Sequence, residues 1–97
     1  MLKPISRGEE ASLPSFKDAE DAYRYFRERF GRNFMFQKIE EAGDGRKYWH
    51  CHLVLDSEAY REGMRTLTEG KSLTGLDFLK SHQTVELMES GEVHIVH

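Results

Sequence analysis

An α+β domain with element order α-β-β-α-β-β is predicted by three observations. Residues 16–30 carry an apolar stripe of helical period. Two pairs of strand-like segments are each joined by a short loop containing glycine, and a second, narrower helical stripe lies between the pairs. Antiparallel hairpins need their apolar faces covered. The expected architecture is therefore a two-layer sandwich, with a four-stranded antiparallel sheet and two helices packed on one face.

Residues 1–14 contain both prolines, Pro4 and Pro14, and no apolar period, so they read as a flexible N-terminal tail to a single domain at 15–97. Leu2 and Ile5 within it are suited to a short edge strand. Ser15, with Asp18 three residues on, predicts a capped helix start. Phe16, Ala19, Ala22, Tyr23, Phe26 and Phe30 then form one helical stripe, Asp18, Glu20 and Asp21 lie early and Arg27 and Arg29 late, as the helix dipole favours, and Gly31 supplies a left-handed stop.

The segments 33–40 and 47–55 predict a hairpin across a loop holding Gly43 and Gly45. In the second strand Trp49, Cys51, Leu53 and Leu55 point one way and Tyr48, His50, His52 and Val54 the other. In the first strand Phe34 and Phe36 alternate with Met35 and Gln37, but Ile39 falls out of phase with the phenylalanines, and the pattern does not decide the buried face. Asp56 or Ser57 caps the second helix, with Tyr60, Met64 and Leu67 as its stripe and Gly70 as its end. Gly63 lies inside that helix at a cost of roughly 1 kcal/mol relative to alanine, which predicts a close backbone approach or a frayed helix. Residues 71–81 read as a loop with one helical turn near 76–79. The last hairpin joins 84–88 to 93–96 through Glu89, Ser90, Gly91 and Glu92, with Val85 and Leu87 facing Ile95 and Val93. The αββ order occurs twice, and DAYRYFRERFG at 21–31 loosely resembles EAYREGMRTLTEG at 58–70, which suggests an internal duplication.

Composition narrows the function classes. A chain of 97 residues with 38% hydrophobic content is enough for one core. Fourteen Lys and Arg against 17 Asp and Glu give a net charge of −3, which argues against a generally basic nucleic-acid binder. The lone Cys51 closes no intramolecular disulfide and writes no zinc finger. The first residues carry charge and proline where a signal peptide needs an apolar run, and no stretch is long and apolar enough for a membrane span, so the expected address is the cytoplasm with no membrane partner.

Histidine is the main chemical signal. His50 and His52 form an H-x-H pair whose imidazoles leave one strand face about 6 to 7 Å apart, a spacing that metal sites use. His94 lies in the last strand, opposite in facing to Val93 and Ile95, so His50, His52 and His94 are the candidate ligands of a divalent metal, the one cofactor considered. His82 falls in the expected loop and His97 faces away. Cys51 sits between two histidines that point to the other face and cannot act as its base, so a buried, inert thiol is expected. No catalytic constellation is found.

Charge is uneven: residues 24–47 sum to +3, with Arg24, Arg27 and Arg32 as a candidate basic patch for nucleic acid. The sheet face of Tyr48, His50, His52 and His94, together with Val54, Met88 and Val96, is mixed and rather apolar for a surface open to water. A small domain with such a face commonly hides it against a second copy or a partner protein. The leading expectation is a non-enzymatic binding or regulatory module that acts through protein-protein interaction, as a homodimer or with another protein. Divalent-metal binding and nucleic-acid binding are its alternatives.

Overall fold

The computed structural model describes residues 2–70 and 77–97. Their order is α1 (Arg7–Ala11), α2 (Ala19–Phe30), a 3₁₀ turn (Gly31–Asn33), β1 (Phe34–Glu41), β2 (Lys47–Val54), α3 (Ser57–Thr68), α4 (Asp77–Lys80), β3 (His82–Met88) and β4 (Val93–Ile95). The strands form one antiparallel sheet in sequence order. The α+β class and the four-stranded antiparallel sheet are those the sequence predicts. The one-turn helix expected near 76–79 is α4, while the rest of that loop, residues 71–76, lies outside the described residues.

Helix α2 covers one sheet face. Ala19, Ala22 and Phe26 are buried against Phe34, Cys51, Leu53, Val85, Leu87 and Ile95, and the two alanines let the helix approach the strands closely. Its cap is Asp18, which accepts from the Asp21 amide at 2.8 Å, so the helix begins later than the expected Ser15 cap. Phe16 therefore lies outside the helix, yet its ring still meets Tyr25 at 5.2 Å and Phe26 at 6.3 Å. Gly31, at φ 60°, ends the helix. Arg27 then donates to the Phe34 carbonyl at 3.0 Å and ties that end to β1.

The undecided facing of β1 has a local cause. Phe36 pairs with Cys51 and Lys38 with His50, which leaves Gln37 as an extra residue, a β-bulge. Phe34, Phe36 and Ile39 consequently share the α2 face despite their uneven spacing.

The second long helix corrects the expected layering. The expectation set both helices on one face, but α3 lies against the opposite face, where the Tyr60 hydroxyl meets Nδ1 of His52 at 2.9 Å. His52 points away from Cys51 and Leu53, and no α3 residue joins the α2 cluster. An amphipathic stripe requires a partner surface; it does not specify which side of a sheet provides it. The two αββ halves thus pack their helices differently.

Gly63 is a close approach: an added Cβ would overlap the ring of Phe78, which stacks on Tyr60 at 5.9 Å and meets His82 at 4.8 Å. Gly63→Ala would gain about 1 kcal/mol of helix propensity but must displace that ring. We expect net destabilisation of about 1–2 kcal/mol, read as a lower urea midpoint. An increase in midpoint would show that Phe78 does not need the space.

The N-terminal segment, which the sequence predicts as a flexible tail, packs against the domain. Ile5 is 2% exposed and belongs to the core cluster. The Ile5 amide donates to Oε1 of the buried Gln83 at 2.7 Å, and Gln83 Nε2 donates back to the Ile5 carbonyl at 3.0 Å. Leu2 donates to the Leu55 carbonyl at 3.0 Å, but no strand forms there. Ser6 and Glu9 make a capping box at the start of α1. Glu10 accepts from the Ile95 amide at 3.1 Å, so this strap also covers part of the β4 edge.

Candidate functional site

The face under α3 and α4 collects the polar chemistry. His50 and His52 leave β2 on this side, and β3 begins at His82, opposite Val54, so His82 is a strand residue and not a loop residue. Its ring lies 4.2 Å from that of His52. Gln83 hid this extension, because a polar residue at an inward position breaks the alternation that Val85 and Leu87 otherwise continue.

A donor chain orders the cluster. Gln37 Nε2 donates to the Tyr60 hydroxyl at 3.2 Å, which leaves the hydroxyl proton for Nδ1 of neutral His52 at 2.9 Å. The proton of His52 is then on Nε2, which faces Nε2 of His50 at 3.2 Å. Nδ1 of His50 is a buried atom with no hydrogen-bond partner among the described residues. His82 Nδ1 lies 3.1 Å from the Phe78 carbonyl and donates to it. Burial, with His82, His50 and Lys38 nearby, pushes the pKa of His52 down to about 4. His82 is lowered as well, chiefly by burial.

His94 shares this face but does not converge on the pair. Glu86 stands opposite both His50 and His94, and Nδ1 of His94 meets its carboxylate at 2.9 Å. Two strand spacings, about 10 Å, separate β2 from β4. The expected ligand set of His50, His52 and His94 is therefore not assembled, and among the described residues no three His, Cys, Asp or Glu side chains are placed to hold a metal ion. Tyr48 donates to Glu40 at 2.8 Å, and Glu40 is held below the usual carboxylate range by Lys38 and then by Tyr48.

The basic candidates are also divided. Arg24 lies near Glu20 at 3.8 Å and Asp21 at 3.9 Å, and Arg27 is used on the Phe34 carbonyl. Arg32 instead lines a groove with Arg61 and Arg65 of α3. Those two escaped the sequence reading, although their i,i+4 spacing places them on one helix face. Cys51 is fully buried, and burial pushes its thiol up to about 12, so it is not a nucleophile at neutral pH.

No helix among the described residues is long and apolar enough to cross a membrane. No protein-family model, curated protein or solved structure matches the chain.

Proposed function

We propose that this protein is a non-enzymatic binding module of the cytoplasm that acts through protein-protein interaction and self-associates along β1. The observation that carries the reading is the free edge of that strand. Of the two outer strands, β4 has three residues and is partly covered by the strap, whereas β1 has eight and no backbone segment among the described residues pairs with its outer edge. That edge also presents large apolar side chains, with Met35 39%, Phe36 43% and Ile39 56% exposed. An uncovered edge of this composition is a template for another strand.

A second copy fits it by two-fold symmetry. In an antiparallel pairing centred on Ile39, the most exposed of the three, Lys38 of each copy stands opposite Glu40 of the other. The Lys38–Glu40 pair within each chain, at 2.9 Å, then becomes a four-charge alternating cluster. A pairing centred on Lys38 would set lysine against lysine.

Native mass spectrometry of untagged protein purified without chelator tests the reading. The expected species is a metal-free dimer, returned to monomer by Ile39→Lys with an unchanged circular dichroism spectrum. A monomer at every concentration would overturn the proposal. A stoichiometric metal that disappears in His50→Ala would move the metal alternative ahead of it.

A further inference from the structure

The geometry points to a second binding surface, beside the β1 edge and with Met35 common to both: the groove between α3 and the start of β1 takes an extended, acidic and apolar segment of a partner protein. The groove encloses about 620 Å³. Its apolar lining is Met35, Val54, Tyr60 and Met64, and the two methionines give that surface shape tolerance. One wall follows α3 from Ser57 to Thr68, about 16 Å of helix, which matches roughly five residues of an extended chain.

Charge selects the occupant. Arg32 stands on the β1 side, with Arg61 and Arg65 one turn apart on the α3 side, and no carboxylate residue is among the described residues lining the groove. Arg65 is paired with Glu62, but Arg32 and Arg61 have no ion pair among the described residues. In a chain of net charge −3 this is a local reversal of sign. Guanidinium groups on both walls call for several negative charges spread along the ligand. A fatty acid has a single carboxylate and would leave cations over its alkyl chain. Single-stranded nucleic acid would need an accessible ring for base stacking, and the aromatic residue lining the groove, Tyr60, is 7% exposed with its hydroxyl engaged by His52 and Gln37. Alternating carboxylate and aliphatic side chains satisfy both walls and floor.

The test is fluorescence polarisation with a labelled octapeptide of alternating glutamate and leucine, using the full chain. Saturable binding that weakens about tenfold or more in Arg61→Glu and in Met64→Asp, and falls as salt is raised, is the expected result. Circular dichroism checks that both variants remain folded, and the Ile39→Lys variant should bind as the parent does, which separates this surface from self-association. Equal binding of a lysine–leucine peptide, or binding of the acidic peptide unaffected by Arg61→Glu, overturns the proposal. So does Arg61-dependent binding of dodecanoate or oligothymidylate with none of the acidic peptide.

Discussion

Gly91→Ala is expected to cost about 3 kcal/mol or more, a large fraction of the stability of a domain this size. Two causes act together. Gly91 has φ 92°, where an L side chain is strained, and its amide closes the β3–β4 turn by donating to the Met88 carbonyl at 2.9 Å. The glycine is also buried, because the chain entering α2 runs against it. An added Cβ would overlap the Phe16 carbonyl and come within 3.2 Å of the Asp18 amide. Backbone cannot rotate away as a side chain can, so either the turn opens or the entry to α2 moves and its Asp18 cap is disturbed. Gly45→Ala is the control. Gly45 has φ 86° in the β1–β2 loop, with open space where its Cβ would go. It should lose only the conformational part, about 1 kcal/mol. Urea unfolding of the two variants isolates the contact with Phe16, and equal losses would show that this contact contributes nothing.

What could be read in the sequence depended on whether one residue's pattern repeats. Helix α2 and the strands of both hairpins carry several turns or pleats of regular spacing, and the sheet follows from them. Gln37 is a single insertion, and one residue reverses the facing of everything after it. The strap has no period at all: its isolated Leu2, Ile5 and Leu13 meet the core because the Gln83 amide grips the Ile5 backbone, an interaction that leaves no mark in the sequence near residue 5. At the histidine site, alternation places His50 and His52 together, but their ordering by Tyr60 depends on which face α3 chooses. His94 fails to join them for a reason of distance across strands, which facing alone does not contain.

Stability is expected to fall as pH is lowered from 6.5 toward about 4, with His52 as the main source. The groups facing this imidazole are Lys38 on β1, His50 on β2, His82 on β3 and Tyr60 on α3. Burial disfavours its cation first, and the neighbouring positive charges add to that. Tyr60 opposes protonation too, because its hydroxyl donates to His52 Nδ1 only while that nitrogen keeps its lone pair. In the unfolded chain the group titrates near 6.5, and in the folded chain near about 4. Above 6.5 both states are neutral and the difference is nil. Below it the unfolded state binds the proton first, so folding free energy is lost until the folded pKa is reached. Discounted for the solvent that reaches a partly buried ring, the loss is about 2 kcal/mol. His82, lowered chiefly by burial, adds in the same direction. Glu10 and Glu40 act in a lower window: their carboxyls are depressed below 4.5, so their contribution is present above that value and disappears only as pH falls through the folded pKa. Urea midpoints above 6.5 and near 4 should therefore differ much less in His52→Gln, which keeps an acceptor for Tyr60 but takes up no proton. A slope in that variant as steep as in the parent would place the acid sensitivity elsewhere in the fold, with the carboxylates of the strap the next groups to examine.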